Sequence, residues 1–376
     1  MLIGADASRS SASQRTGTEA YSFYLLNALA KAAVDRDHRI RFYHREPTDE
    51  DLYQDVDGIE HVVIPFPRMW THVKLAWELH RRPPDVFFTP SHVIPFTYRR
   101  PSVATVHDLG FLHFPETHTR NQLRYLRWST RHNAKRSRVI IVDSQATKED
   151  LVQLYAVQPD RIEVVYPGVD PDLRPVTDKK ELDAVCAKYG VRAPYLLYIG
   201  TIQPRKNLVR LIDGFLGVDL IHQLVLAGKQ GWLSESICDH IDGLKKVERE
   251  RIVLTGFVQT EDKAALISGA EALVLPSLYE GFGFPVVEAN AIGTPVLCSN
   301  TSSLPEIAGE AAILVDPQDV SAIREGIARL VADESFRKQL IQAGLDNSRR
   351  FSWETAAEQT LTILERAAKQ QPSLLG

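Results

Sequence analysis

The sequence predicts an α/β protein built from two doubly wound parallel sheets, and three observations predict it. Short apolar runs alternate with amphipathic stretches throughout the chain, which is the pattern of strands and crossover helices in parallel layers. The alternation breaks at Pro167-Gly168-Val169-Asp170 and restarts at Tyr195-Leu196-Leu197-Tyr198-Ile199-Gly200, so each half reads as a sheet of its own. At 376 residues the chain exceeds one ordinary hydrophobic core and fits two domains.

In order, the apolar runs of the first half predict strands at Leu2 to Gly4, Ile40 to Tyr43, His61 to Ile64, Asp85 to Phe88, Ser102 to Val106 and Val139 to Val142, closing at Glu163 to Tyr166. In the second half they fall at Tyr195 to Gly200, Gln223 to Ala227, Arg251 to Leu254, Ala272 to Leu275 and Pro295 to Cys298. From Trp353 to Lys369 the apolar residues Ala356, Ala357, Leu361 and Leu364 recur at helical spacing and predict one long helix. The expected domains are 1–175 and 176–352, with a helix over about 353–376 packing back on the first and a frayed tail from Gln370 to Gly376. In such sheets ligands sit at the carboxyl ends of the strands, and two sheets facing each other make a cleft.

Composition narrows the function. A net charge of −4 argues against nucleic acid as a partner, since such proteins carry a basic excess. No run of about 18 apolar residues occurs, so no spanning helix is expected. The opening Met1-Leu2-Ile3-Gly4-Ala5-Asp6 has no basic or cleavable apolar leader. Cys186, Cys238 and Cys298 are widely spaced and make no metal pattern; they read as free thiols of a cytoplasmic protein.

The most informative segment runs from Ala272 to Ala289. A buried strand ends at Pro276, a loop carrying Gly281, Phe282, Gly283 and Phe284 follows, and a helix begins near Pro285, where a proline lacks only an amide that had no partner. Loop amides and the helix dipole together make an anion site, and the glycines let a ligand approach the backbone. Two carboxylates, Glu280 and Glu288, flank it. Acids beside a phosphate site point to sugar hydroxyls as their partners. Each could also be an ordinary surface or capping acid.

This segment resembles the Glu-x7-Glu signature of the retaining family-four glycosyltransferases. Ala291 to Val296, Leu304 to Ile307, Val253 to Val258 and Gly200 to Asn207 continue the resemblance, as do Val106-His107-Asp108, Val142-Asp143-Ser144 and Tyr166 to Asp170 in the first half. The resemblance implies the GT-B architecture, two Rossmann-like domains facing across a cleft, the first on the acceptor side and the second binding a nucleotide-sugar. It implies that Glu280 and the amides of Phe282 and Gly283 hold the transferred sugar, that Glu288 meets the ribose, and that Lys206 with Arg205 clamps the diphosphate in place of a metal. Gly256-Phe257-Val258 would meet the base, His107 the sugar, and Gly17-Thr18 the diphosphate from the first domain.

Two departures stand out. Thr201 occupies a position where many relatives carry arginine, and Pro285 cannot donate a backbone hydrogen bond. Other readings stay open: Arg205-Lys206 as a solvated first turn, His107 as a hydrogen-bonded structural histidine, Gly17-Thr18 as a flexible turn. The stretch Arg120 to Arg138 carries seven basic residues and no acid, with Arg120, Arg124, Arg127 and Arg131 at helical spacing. It reads as a solvated face with its apolar side packed on the sheet, or as a basic amphipathic helix that rests on anionic lipid at the inner membrane face or grips an acceptor's pyrophosphate.

The expected reaction is therefore metal-independent hexose transfer with retention, onto a saccharide or lipid-linked acceptor, without a cofactor. The resemblance is nearest to bacterial mannosyl- or rhamnosyl-type enzymes of surface polysaccharide synthesis, which makes GDP-mannose the first donor and a UDP-hexose the second. A nucleotide-sugar epimerase or phosphorylase, and a catalytically silent sugar-nucleotide-binding subunit, are the alternatives. A dinucleotide oxidoreductase is disfavoured, because Val286 stands where its fingerprint needs a third glycine.

Overall fold

The computed structural model describes residues 1–10, 15, 17–47, 57–66, 68–91 and 93–369. The chain forms two units: Met1–Leu109, Arg124–Gly168 and Phe351–Gly376 make the first, Gly110–Leu123 and Val169–Arg350 the second. The tail Gln370 to Gly376, with the last part of the helix expected over 353–376, lies outside the described residues.

Unit 1 is a seven-stranded sheet: β1 (Leu2–Asp6), β2 (Arg39–His44), β3 (Ile59–Val63), β4 (Val86–Thr89), β5 (Ser102–Val106), β6 (Val139–Val142) and β7 (Ile162–Val164). The order is β3-β2-β1-β4-β5-β6-β7 and every pair is parallel, with Ile3 opposite Ile40 on one side and Val86 on the other. Every residue of β4, β5 and β6 is buried. Strands covered on both faces read as unbroken apolar runs, which is why they were visible in the sequence.

The helix Trp353–Lys369 lies along the helix Gly17–Asp35. Its buried face carries Trp353, Ala357, Leu361 and Leu364, each large side chain contributing about 1.5–3 kcal/mol by leaving water. Trp353 stacks on Tyr24 at 5.6 Å and meets Tyr21 edge-on at 5.8 Å. A side chain at Gly168 would overlap the Trp353 backbone nitrogen, so the chain approaches the helix start too closely for any other residue. At the far end Arg138 Nη1 donates to the Ala367 carbonyl at 2.6 Å, satisfying one of the helix's terminal acceptors.

Unit 2 is a six-stranded parallel sheet: β8 (Tyr195–Ile199), β9 (Gln223–Ala227), β10 (Ile252–Gly256), β11 (Ala272–Leu275), β12 (Val296–Ser299) and β13 (Ala312–Val315), in the order β10-β9-β8-β11-β12-β13. The edge strand β13 was not anticipated. Both sheets reverse strand order once, at β1/β4 and at β8/β11. In an open α/β sheet the crevice at that switch point is where a ligand fits.

The acid-free basic stretch forms the helix Arg120–Arg136, with Thr130, Asn133 and Ala134 buried and Arg124, Arg127 and Arg131 exposed. Among the described residues no helix is long and apolar enough to cross a membrane.

Candidate functional site

Of the predicted residues of unit 2, Arg205, Lys206 and Glu280 come together where β8 and β11 end side by side. After β8 the chain makes a short turn, Pro204–Lys206, closed by Asn207 in a left-handed conformation. Asn207 is buried, and its Nδ2 donates to the carbonyls of Pro276 at 2.9 Å and Pro317 at 2.6 Å. The Leu278 amide donates to the Arg205 carbonyl at 2.9 Å. The turn carrying Arg205 and Lys206 is thereby tied to the loop carrying Glu280.

Glu280 is the centre of this site. Its Oε1 accepts from Lys206 Nζ at 2.5 Å and from Ser277 Oγ at 2.6 Å, and Arg205 Nη1 stands 3.7 Å from Oε2. Burial works against charge on the carboxyl, but the Lys206 ammonium and the Arg205 guanidinium outweigh it and hold its pKa below the ordinary value. Glu280 is therefore a buried carboxylate at neutral pH, suited to accepting hydrogen bonds and unsuited to donating a proton. Arg205 also donates to the Tyr279 carbonyl at 2.6 Å, so part of its work is to brace the loop.

Serines of the segment after β12 support the same loop. Ser302 Oγ accepts from the Glu280 amide at 2.9 Å, and Ser303 Oγ lies 3.0 and 2.9 Å from the carbonyls of Glu280 and Phe282. Gly283 is the N-cap of the helix Phe284–Ile292, at φ +107°, and a Cβ there would come within 2.7 Å of Leu304 Cδ2. Only glycine accepts that backbone comfortably. Pro285 lies in the first turn as expected, and the positive end of the helix opens beside Glu280.

Glu288, one turn into that helix, is buried and ion-paired through Oε1 with Lys263 Nζ from the helix Thr260–Gly269. Gly256 ends β10, and Phe257 and Val258 follow it half-buried at the same carboxyl edge of the sheet. The 110–123 segment also belongs to this unit: His113 stacks on Tyr279 at 5.1 Å, and Trp232 Nε1 donates to the Thr117 carbonyl at 2.7 Å.

His107, Gly17 and Thr18 belong to unit 1. His107 follows β5, with Nδ1 donating to Asp143 Oδ2 at 2.6 Å, Nε2 to the Pro90 carbonyl at 2.8 Å, and Tyr21 edge-on at 4.7 Å. Burial disfavours charge on the ring, yet Asp143 and the Pro90 carbonyl raise its pKa and favour an imidazolium. A ring so engaged meets a ligand hydroxyl only by exchanging one of these partners, and the His107 carbonyl itself accepts from Thr147 Oγ1 at 3.4 Å. Gly17 and Thr18 open the helix Gly17–Asp35; the Thr18 carbonyl accepts from Ser22 Oγ at 2.9 Å and Ser91 Oγ at 3.2 Å.

Sequence reasoning gave no role to Lys263, Asn207, Ser277, Ser302, Ser303 or Asp143. Asn207, Asp143 and Ser277 lay inside quoted motifs; Lys263, Ser302 and Ser303 offered no local signal. Among the described residues no group of three His, Cys, Asp or Glu side chains converges.

The family model for glycosyl transferases group 1 matches residues 187–346, and that for Glycosyltransferase Family 4 matches residues 16–173. The O-antigen chain mannosyltransferase B of Escherichia coli is 32% identical over 291 residues, covering 76% of this chain and 75% of that one. The chain belongs to the family-four, group 1 glycosyltransferases. Among solved structures, this glycosyltransferase matches the sucrose-phosphate synthase of Thermosynechococcus elongatus with a TM-score of 0.76, at 22% identity over 97% of this chain and 98% of that one. HepE of Anabaena, in complex with UDP-glucose, matches with a TM-score of 0.74 at 19% identity, covering 97% and 100%. These likenesses establish for the glycosyltransferase the GT-B fold that its two sheets display.

Proposed function

We propose that this glycosyltransferase moves a hexose, mannose before others, from a nucleotide-sugar to a saccharide or lipid-linked acceptor in polysaccharide synthesis, with retention of configuration and without a bound metal. The observation that carries the reading is the meeting of half-buried Arg205 and Lys206 with buried Glu280, just before the helix Phe284–Ile292. Two cations meet at this carboxylate, and the helix end beside them adds positive potential. A nucleoside diphosphate is the anion such a cluster suits. When it binds, Lys206 exchanges Glu280 for phosphate oxygens, and the released Glu280 accepts hydrogen bonds from the sugar hydroxyls. Glu288 takes the ribose, with Lys263 fixing its carboxylate.

In the transfer step the bond from the anomeric carbon to the diphosphate oxygen breaks, and its electron pair stays on the diphosphate. The acceptor oxygen bonds to that carbon from the same face, and its proton passes to the departing phosphate oxygen. Lys206 and Arg205 stabilise the charge as it develops, a contribution worth about 3–4 kcal/mol for a single well-placed donor. The mannosyl preference draws on the Escherichia coli relative's name, and the UDP-hexose alternative on the ligand named for HepE. The reaction is placed in the cytoplasm, with peripheral contact at the inner membrane face.

The test is turnover of a panel of nucleotide-sugars with and without EDTA, following released nucleotide and the anomeric configuration of the product by NMR. EDTA-resistant release of GDP from GDP-mannose with an α-product supports all three elements. Loss of activity in EDTA removes the metal-free clamp, an inverted product removes the same-face attack, and conversion of donor without acceptor favours an epimerase.

A further inference from the structure

We propose that His113 is a positioning residue of the transfer site: stacked on Tyr279, it holds the loop that carries Glu280. Residues 110–123 lie in sequence between β5 and β6 of the first sheet, yet they pack with the second unit. Two short helical turns, Gly110–His113 and Pro115–Thr117, stiffen this segment. The Phe114 amide donates to the Gly110 carbonyl at 2.9 Å. The Phe114 carbonyl in turn accepts from the Thr117 amide at 3.1 Å and from Thr117 Oγ1 at 2.7 Å.

The segment is held at both ends. At one end Trp232 Nε1 donates to the Thr117 carbonyl at 2.7 Å, and the His118 ring lies 5.7 Å from the Trp232 ring. At the other the His113 and Tyr279 rings stack at 5.1 Å, 20° from parallel. The backbone there is close as well: a Cβ on Gly110 would come within 2.9 Å of Tyr279 Cδ1 and 3.3 Å of Arg205 Cδ. Trp232 follows β9 and Tyr279 follows β11, the two strands that flank β8. The segment therefore bridges the loops on either side of the turn that carries Arg205 and Lys206.

Tyr279 is the residue on which this bridge acts. It is buried, Arg205 Nη1 donates to its carbonyl at 2.6 Å, and its ring is covered by His113. Held at carbonyl and ring together, Tyr279 fixes the direction of the chain at Glu280, the next residue. Stacked rings constrain orientation as well as burying area. Without the His113 ring, Tyr279 gains freedom, and the Arg205 guanidinium and Glu280 carboxylate gain it too; catalytic groups tolerate little misplacement. His113 is itself exposed, so it steadies Tyr279 without belonging to the core. The role rests on the reading of Arg205 and Glu280 as groups that meet the donor.

Hydrogen exchange of the full chain, read by mass spectrometry over residues 276–284, tests the role without any donor. The Leu278 and Glu280 amides are bonded to the Arg205 carbonyl and to Ser302 Oγ. In His113→Ala they should exchange about two- to tenfold faster, the range one aromatic pair commands. In His113→Phe, which keeps a flat ring and drops both nitrogens, the slow exchange should return. On GDP-mannose, or on UDP-glucose where that is the donor consumed, kcat should fall by a similar factor in His113→Ala with KM little changed, and recover in His113→Phe. Unchanged exchange in His113→Ala overturns the proposal, as does faster exchange with full kcat. A phenylalanine variant no better than alanine also overturns it, because the ring nitrogens rather than the stack would then matter. If the unaltered chain consumes no nucleotide-sugar, the proposed function falls, while exchange in His113→Ala still decides whether His113 holds the loop.

Discussion

Replacing Glu280 by glutamine separates the two roles assigned to the buried cluster. Glutamine keeps an oxygen for the Ser277 hydroxyl and the volume of the side chain, so the loop should stay folded. It removes the charge that neutralises Lys206. At 2.5 Å and an effective dielectric of about 20, the Lys206–Glu280 attraction amounts to roughly 6–7 kcal/mol before desolvation. Desolvation of buried Glu280 and half-buried Lys206 takes back most of it, leaving about 1–2 kcal/mol that an incoming diphosphate must replace. Without the carboxylate that requirement disappears, so Glu280→Gln should bind free nucleoside diphosphate about tenfold more tightly. Turnover should move the opposite way, falling about a hundredfold, because charge-assisted bonds to sugar hydroxyls of about 1.5–3 kcal/mol become neutral ones. Titration calorimetry with GDP and UDP, alongside initial-rate kcat/KM on the preferred nucleotide-sugar, reads both arms. If the variant binds free diphosphate more weakly, Lys206 is not held in check by Glu280 and the exchange of partners is wrong.

Lys206→Met should lower kcat/KM by about 10²–10³ and destabilise unit 2 by roughly 2–3 kcal/mol, with Arg205 retaining part of the compensation for Glu280; full turnover would remove the electrostatic clamp. Lys263→Ala should raise KM for the nucleotide-sugar several-fold, by about 1 kcal/mol, with kcat nearly unchanged, since Glu288 loses its partner but the reacting centre does not; steady-state kinetics decides. His107 has a raised pKa in the folded state, so its pairing contributes stability that is fully present below the unfolded value of 6.5 and is lost as pH rises through the folded one. Asp143→Asn should flatten that dependence, and melting curves across the range, with an NMR titration of the ring, test it.

The strands were legible where burial on both faces left unbroken apolar runs, as in Ala272–Leu275 and Val296–Ser299. The edge strand Ala312–Val315 escaped because it is only partly buried, with Leu314 at the surface, and a four-residue run there has no period to read. The glycine loop and its two acids were legible because loop, proline and helix lie consecutively in sequence. Lys263 was not, since it reaches Glu288 from another helix and the pair exists only after packing. The serines at 302 and 303 were hidden for the same reason: they meet Glu280 and Phe282 because β11 and β12 are sheet neighbours.

The helix Trp353–Lys369 completes a sheet whose strands all precede residue 165, and all but a short segment of unit 2 is spelled out in between. During synthesis Tyr21 and Tyr24 therefore wait for their Trp353 partner while Val169–Arg350 is made, about 10–40 s at ordinary translation rates. The second unit is fully emerged before the first is sealed. A chain cut short before Trp353 would carry the whole second sheet and leave Tyr21 and Tyr24 uncovered, so the integrity of the first unit depends on a segment made after the second.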